Sequence, residues 1–247
     1  MSLVEIPARW TGLVSSAVVR SRELLRSIAA SDYEGDNTSG GRLGVQSRFT
    51  ADPTASIHEA LLETQCDVVL MEWPAIGARR QHRLASILKS LLTDPQINLI
   101  VARPDLAAKG GRIRPRSVIA PLRGGPNAFL ALSVAVALAC DAGAELTLLH
   151  VYDSTRHPKH LRHEEATFHE LVRAAEYAHP IVIERVAQGP AEAVLGLARD
   201  YDAVVMGAHS NPRETGALVG PLMSVAMSQL PGTVILARAA RGQVQAV

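Results

Sequence analysis

The chain has little cysteine, since only Cys66 and Cys140 occur among its 247 residues. The two lie far apart in the sequence, each inside an apolar segment. They therefore form neither a disulfide framework nor a paired metal-binding motif. This usage indicates a reducing setting, and we expect the protein to be cytoplasmic.

Long apolar runs and an excess of charge of one sign are also absent. The longest apolar run, FLALSVAVALAC, has about 12 residues, whereas about 20 are needed to cross a bilayer, and no signal peptide opens the chain. The 25 lysines and arginines nearly balance the 24 aspartates and glutamates, so net charge gives no attraction to nucleic acid. We expect a soluble protein without a nucleic-acid partner.

The sequence alternates short runs of β-branched and aliphatic residues with longer stretches of helical periodicity. That alternation predicts βαβ units and a parallel sheet covered by helices on both faces. The predicted strands are 66–72, 98–103, 117–122, 145–151, 181–187, 202–207 and 233–238. The predicted helices are 12–30, 54–64, 83–93, 127–142, 162–178, 190–200 and 221–230.

An internal repeat divides the chain into two parts. The segment 104–116, rich in glycine, proline and basic residues, is typical of a linker. On either side the order of strands and helices recurs, which predicts two copies of one fold, 1–103 and 117–247. The first copy begins at its second strand, SLVEIP, and lacks a first strand and helix. Either the reading frame is cut upstream or the first copy is a truncated half-domain.

Two segments of the second copy resemble the universal stress protein family. SVIAPLRGGPNAFLALSVAVALACDAGAELTLLHV resembles its first strand, loop, helix and second strand, and DAVVMGAHSNPRETGALVGPLMSVAMSQLPGTVILA its fourth strand, phosphate loop, last helix and fifth strand. The resemblance covers most of 117–240 and, more weakly, 1–103. It implies an α/β fold with two parallel-sheet domains in tandem, of the nucleotide-binding α-hydrolase-like and flavodoxin-like kind.

The family's nucleotide-binding members carry a loop of Gly, two residues, Gly, nine residues, Gly, then Ser or Thr. Glycines let the main chain approach phosphate, and the following helix offers unpaired N–H groups. Gly207 and Gly220 match the first and third positions, whereas Ser210 replaces the second glycine and Pro221 the hydroxyl residue. Proline lacks an N–H group, so this loop predicts weak phosphate binding.

The loop after the first strand of the second copy also departs from the nucleotide-binding members of the family. Arg123 stands where nucleotide-binding members usually carry an aspartate that holds the ribose or a metal-bridged group, although arginine grips anions well. By resemblance, Pro121, Leu122, Val151 and Met206 would lie at the same pocket as the loop residues. We expect no required cofactor and at most weak binding of ATP, ADP or AMP.

The first copy departs further from the nucleotide-binding pattern. Glu72, Ala75 and Ala85 stand where the three glycines would be, while Ser86 keeps the hydroxyl group. A carboxylate at the first position would repel phosphate, so we expect no nucleotide there.

Tandem modules of this kind are similar to the cytoplasmic tails of amino-acid permease-type and cation-chloride cotransporter-type transporters. The resemblance implies a non-catalytic regulatory module at the cytoplasmic face of a membrane protein. The alternative is a stand-alone universal stress protein that binds ATP or AMP. No nucleophile with a base, and no carboxylate pair, is evident at the predicted strand ends, so we expect no enzyme.

The closing strands 98–103 and 233–238 are apolar and nearly free of charge. Because bare sheet edges tend to pair, we expect these strands to lie antiparallel to each other and to join the two copies. The family's fifth strand is also its usual dimer contact, which leaves a homodimer as a second arrangement.

Two polar clusters can each be interpreted either as a binding site or as an ordinary solvent-exposed segment. His157, His160, His163, Glu164 and His169 lie close enough in sequence for a metal site, but we expect Pro158 to interrupt the helix among them, which favours a solvated face. Likewise Arg112, Arg114 and Arg116 favour a solvated linker over a lipid-binding patch.

Overall fold

The computed structural model describes ten stretches of the chain, from residue 52 to residue 240. They are residues 52–64, 68–73, 78–94, 96–105, 115–122, 125–152, 158–178, 180–186, 190–208 and 221–240. The chain divides into two compact units, Met1–Cys66 and Asp67–Val247. The predicted helix 12–30 and the strand SLVEIP lie outside the described residues.

The described part of the first unit contains helix α1, Pro53–Thr64. Asp52 caps it, because its Oδ1 accepts the N–H groups of Thr54 at 3.0 Å and Ala55 at 3.1 Å. Pro53 takes the first helical position, where a missing N–H costs nothing. Ser56, Ile57 and Ala60 are its buried residues.

The second unit alternates strands with helices over most of its length. Its described elements are β1 Val68–Glu72, α2 Ala78–Thr93, β2 Asn98–Arg103, β3 Ser117–Pro121, α3 Ala128–Ala142, β4 Glu145–Val151, α4 Pro158–Ala178, β5 Ile181–Val186, α5 Pro190–Ala198, β6 Ala203–Gly207, α6 Pro221–Gln229 and β7 Thr233–Arg238. No described helix combines the length and apolarity that a membrane span requires.

The seven strands form one sheet with the order β1-β2-β7-β6-β3-β4-β5. Strands β1 and β2 are parallel, and so are β7, β6, β3, β4 and β5. The two parallel groups meet where β2 and β7 run antiparallel. The predicted α/β class with a mostly parallel sheet is confirmed, whereas two tandem domains, with boundaries at 103 and 117, stay a prediction.

Helices α3 and α4 pack on one face of the sheet and enclose a core. Alanines of α3 face the sheet closely, because small side chains let a helix approach. The cluster includes Val118, Ala120, Leu146, Leu148, Val205 and Ile235 from the strands, Ala131, Ala135 and Ala139 from α3, and Phe168 and Leu171 from α4. Helix α3 ends at Gly143, whose left-handed φ of 65° closes the helix.

The seam between β2 and β7 has an internal two-fold pattern. Val101 and Leu236, each the fourth residue of its strand, lie opposite each other, and Leu99 faces Arg238 as Arg103 faces Val234. This is the antiparallel arrangement of 98–103 and 233–238 that the sequence predicts. That the two strands belong to two copies of one domain stays a prediction.

Two buried arginines cross the seam in opposite directions. Nη2 of Arg103 donates to the carbonyl oxygens of Leu230 at 2.6 Å and Gly232 at 2.7 Å. Nη2 of Arg238 donates to those of Leu91 at 2.9 Å and Ile97 at 2.7 Å. Burial lowers the pKa of Arg103, and the nearby carboxylate of Asp105 opposes that shift. Each guanidinium thus binds one carbonyl at the end of a helix on the other side of the seam, where cations are favoured, and one directly before the strand that follows that helix.

Helix starts differ more from the sequence prediction than strand bounds do. Strands β2, β4 and β7 have their predicted bounds. Helix α4 begins at Pro158, so the expectation that this proline interrupts the helix is wrong. Proline is favoured in the first turn, where its N–H would have no helical partner.

Candidate functional site

The candidate site lies at the carboxyl ends of β3 and β6. Along the sheet β4 is on one side of β3 and β6 on the other, so the chain order reverses there. In open α/β sheets ligands bind outside the carboxyl ends of the strands at such a switch point. The edge is formed where β3 ends at Pro121 and β6 ends at Gly207.

Asn127 spans this edge with its side chain. It precedes α3, is 6% exposed, and makes no side-chain cap bond to that helix. Its Nδ2 donates to the carbonyl oxygen of Ala208 at 2.7 Å, and its Oδ1 accepts the N–H of Ala239 at 2.8 Å. One amide therefore ties the start of α3 to the segments that follow β6 and β7.

Asn127 is a site residue that the sequence does not predict. An asparagine directly before an apolar helix is ordinarily interpreted as a helix cap. Its actual partners are 81 and 112 residues away in the chain, and no local pattern indicates them.

Gly207 packs directly against Asn127. A Cβ atom at this glycine would lie 3.2 Å from the Cβ of Asn127 and 3.3 Å from its carbonyl oxygen. These distances are closer than ordinary van der Waals contact. Packing therefore favours glycine at the end of β6 whether or not phosphate binds, and Gly207 alone is weak support for a phosphate loop.

Of the predicted residues, Pro121 ends β3, Leu122 follows it and Val151 ends β4. Pro121 is partly exposed at the end of β3. The side chain of Leu122 is buried in the core cluster, and its N–H donates to the carbonyl oxygen of Leu149 at 2.9 Å. Val151 is the last residue of β4. These positions share one edge of the sheet, because β3 and β4 are parallel.

The predicted phosphate-loop residues are described only in part. Met206 is buried, Gly207 ends β6, and Pro221 is the first residue of α6. Arg123, Ser210 and Gly220 lie outside the described residues, so their approach to this edge stays a prediction.

Two main-chain N–H groups at this edge already have partners within the protein. The N–H of Ala208 donates to the carbonyl oxygen of Ala237 at 2.8 Å, and that of Ala239 is bound to Asn127. Pro221 has no N–H at the start of α6. The N–H groups that follow Pro221 in the first turn of α6 have no helical partner, so they are described donors that could face an anion.

The site predicted for the first copy is described at three of its four positions, since Ala85 and Ser86 lie within α2. Glu72 is the last residue of β1, the place that Gly207 takes in β6. Ala75 lies outside the described residues. That no phosphate binds at this end of β1 stays a prediction.

The histidine-rich segment forms the start of α4. His163 and His169 are exposed, and Nε2 of His169 lies 4.0 Å from Oε1 of Glu165. His157 lies outside the described residues. Within the stretches that the structure describes, no three histidine, cysteine or carboxylate side chains are grouped to hold a metal ion.

Comparison with known proteins gives a family and a fold. The model of the universal stress protein family matches residues 115–238. A universal stress protein from Archaeoglobus fulgidus DSM 4304 superposes with a TM-score of 0.62 at 17% identity, covering 97% of this chain and 82% of that one. The cytoplasmic domain of a prokaryotic cation chloride cotransporter superposes with a TM-score of 0.58 at 15% identity, covering 95% and 82%. No curated protein matches the sequence significantly.

Proposed function

Since the chain belongs to the universal stress protein family, we propose that it is a non-catalytic regulatory or interaction module of that type. We propose further that it is the cytoplasmic tail of an amino-acid or cation transporter and binds adenine nucleotides weakly at most. The observation that best supports a non-catalytic regulatory or interaction module is the pair of hydrogen bonds that Asn127 makes across the carboxyl ends of β6 and β7.

That bridge favours a structural use of the edge over a ligand-binding one. A phosphate-binding edge keeps its N–H groups free until the ligand arrives. Here the amide of Asn127 holds the Ala208 carbonyl and the Ala239 N–H, and Gly207 is packed against it. Opening the edge would break these two partly buried hydrogen bonds, each of which contributes about 1 kcal/mol to stability.

Calorimetric titration of ATP, ADP and AMP, each with magnesium, tests the nucleotide part of the proposal. We expect Kd values above about 100 μM, which correspond to less than roughly 5.5 kcal/mol of binding free energy. A micromolar Kd would contradict the proposal and favour the stand-alone nucleotide-binding protein.

The variant Arg123→Asp examines the cause of the weak binding. It restores the residue type that holds the ribose or a metal-bridged group in the family, so magnesium-ATP should bind more tightly than to the unmodified chain. Arg116→Asp is the matched control, because it makes the same charge change at a side chain that is 93% exposed, at the opposite end of β3. Equal affinities of the two variants would contradict this account.

The transporter assignment has a separate test. The fold similarity to a cotransporter's cytoplasmic domain supports it over nearly the whole chain, while the similarity to an archaeal universal stress protein supports the stand-alone alternative. The genomic reading frame upstream of Met1 distinguishes the two. A continuous frame with ten or more apolar helices is the expected result, and an in-frame stop codon directly upstream would overturn the assignment.

The absence of catalysis is part of the same proposal. At the described carboxyl ends of β3, β4 and β6 the residues are Pro121, Val151 and Gly207, and none of them can act as nucleophile, acid or base. ATP hydrolysis by the purified chain above a mock-purified control would contradict this part.

A further inference from the structure

The hydrogen-bond ladder between β6 and β7 is interrupted at its carboxyl end. The N–H of Ala208 donates to the carbonyl oxygen of Ala237 at 2.8 Å, which continues the register of the two strands. In a parallel ladder the next bond would join the N–H of Ala239 to the carbonyl oxygen of Ala208. Instead, the first of these groups donates to Oδ1 of Asn127 at 2.8 Å, and the second accepts from its Nδ2 at 2.7 Å. The amide of Asn127 thus lies within the ladder, in place of one main-chain bond.

A second asparagine oxygen holds the chain on the other side of β7. Because successive N–H groups of a strand point to opposite neighbours, that of Ala239 faces β6 and that of Ala240 faces β2. The N–H of Ala240 donates at 2.8 Å to Oδ1 of Asn98, the first residue of β2, and both residues are 5% exposed. The carbonyl oxygen of Ile97, which the antiparallel register places opposite Ala240, is bound by Arg238. The segment after β7 is therefore held between two asparagines, one on each side.

We propose that Asn127 is a removable wedge, and that the carboxyl ends of β6 and β7 have two hydrogen-bonded states. In the inserted state, which the structure shows, the amide separates the two strands. In the withdrawn state the Ala239 N–H donates directly to the Ala208 carbonyl oxygen, and the ladder gains its missing bond. Both main-chain groups have a partner in either state, so neither state leaves a buried polar group of the main chain unsatisfied.

The position of the first turn of α3 selects between the two states. Asn127 directly precedes α3 with helical main-chain angles, φ −94° and ψ −7°, and its carbonyl oxygen accepts the N–H of Ala131 at 3.0 Å. Gly125, whose φ of 88° is left-handed, begins the turn before it and accepts the N–H of Ala128 at 3.2 Å. The asparagine is therefore built into the start of the helix. A displacement of this turn carries the wedge with it.

Withdrawal of the wedge also acts on the other side of β7. The direct bond draws Ala239 toward β6 and thereby draws Ala240 away from Asn98. The bond between Ala240 and Asn98 opposes withdrawal, so Asn98 is a positioning residue that acts on the wedge through the main chain. Because β2 belongs to the other parallel group of the sheet, the carboxyl edge of β6 is coupled to the seam.

The ligand that operates the wedge is an adenine nucleotide, and this step rests on the proposed function. The turn that carries Asn127 follows β3 at the candidate site, so a nucleotide bound there acts on the start of α3. Binding that displaces the turn must first release the two bonds of Asn127, which agrees with weak binding. Loss of the bond from Asn98 makes that release easier.

Amide hydrogen exchange of the full chain, followed residue by residue by NMR, tests the two states. In Asn127→Ala the ladder can close, so the Ala239 amide should stay protected within roughly 10-fold of the unmodified chain. Asn98→Ala is the matched control, because the Ile97 carbonyl is already bound by Arg238, and its Ala240 amide should exchange at least roughly 100-fold faster. Unchanged exchange at Leu148, in the core cluster, shows that each variant is folded.

A loss of protection at Ala239 in Asn127→Ala as large as that at Ala240 in Asn98→Ala would overturn the proposal. The strands would then stay apart without the amide, and Asn127 would be a fixed link rather than a wedge.

Titration of magnesium-ADP to about 10 mM, followed by NMR, tests the coupling across β7. The side-chain NH₂ of Asn127 and the amides of Ala239 and Ala240 should shift on one binding curve. Asn98→Ala should lower the Kd roughly 3- to 10-fold, a gain that a merely structural role would not give.

Each other outcome of the titration has a separate meaning. Shifts at Gly207 without any at Ala239 and Ala240, or an unchanged Kd in Asn98→Ala, would overturn the coupling. No shift of any signal would overturn the ligand step, yet it would agree with nucleotide binding that is weak at most. A micromolar Kd of the unmodified chain would contradict the proposed function, while the exchange result decides on the wedge independently.

Discussion

Asn127 shows how one side chain can decide what an edge of the sheet does. Both ends of its amide are used, one as donor to Ala208 and one as acceptor from Ala239. A carboxylate has the acceptor but not the donor, and an aliphatic residue has neither. The identity of this residue therefore fixes the spacing between the start of α3 and the ends of β6 and β7.

The variant Asn127→Asp should destabilise the fold by about 1–3 kcal/mol, because the Ala208 carbonyl oxygen would face a buried carboxylate instead of a donor. The measurement is urea denaturation followed by circular dichroism. Gln96→Glu makes the same amide-to-carboxylate change at an exposed position and should shift stability by less than about 0.5 kcal/mol. Similar values for the two variants would show that the bridge is not needed.

Close approach between elements, rather than turn conformation, explains two of the described glycines. A Cβ at Gly232, before β7, would clash with the main-chain carbonyl of Asp202. That carbonyl accepts the N–H of Thr233 at 2.9 Å, so the two segments cannot separate without losing the bond. Gly207 meets a side chain at a longer distance, and Gly196 in α5 has nothing within 4 Å.

Alanine at these three glycines should therefore give a graded series of stabilities. Gly232→Ala should cost roughly 2–4 kcal/mol through overpacking, and Gly207→Ala about 1–2 kcal/mol, because its neighbour is held by two hydrogen bonds. Gly196→Ala should stabilise by up to about 1 kcal/mol, since glycine disfavours a helix interior. Thermal denaturation of the three variants measures the order, and a Gly207→Ala as stable as Gly196→Ala would contradict the packing described at β6.

Local elements could be predicted from the sequence, while the contacts that define the site could not. Runs such as NLIVAR and TVILAR are apolar throughout, and β2 and β7 have the predicted bounds. The run VVLME also indicates a buried strand, yet Leu70 is largely exposed. Whether an apolar strand is covered depends on a helix elsewhere in the chain or in another molecule. The same holds for Asn127, whose partners are set by the register of the whole sheet.

Across the whole second unit, the seam between β2 and β7 makes one sheet of two parallel groups. Main-chain pairing over five residues of each strand joins them, and each of the two buried arginines donates to two carbonyls on the other side of the seam. A guanidinium suits this task because its planar fork can reach two carbonyls from one nitrogen group. The arginines are thus expected to contribute more to stability than exposed ones.

Replacement of Arg103 by methionine should cost about 2–4 kcal/mol, because the carbonyls of Leu230 and Gly232 lose a charged donor in a buried place. Arg238→Met should have a similar cost through Leu91 and Ile97. Arg116→Met is the control, since that side chain is 93% exposed and its Nε lies 3.7 Å from the Asp202 carboxylate, a contact that contributes under about 1 kcal/mol. Guanidinium denaturation compares the three, and equal midpoints would show that the crossing bonds are dispensable.

Because strand direction reverses at the seam, the carboxyl ends of the strands lie at two opposite rims of the sheet. Strands β1 and β2 end at one rim, whereas β3, β4, β6 and β7 end at the other. Whatever binds where β6 ends is therefore separated by the length of the strands from whatever binds where β1 ends. Because the two rims lie at opposite ends of the strands, one rim can contact a partner protein while the other remains accessible to a different ligand.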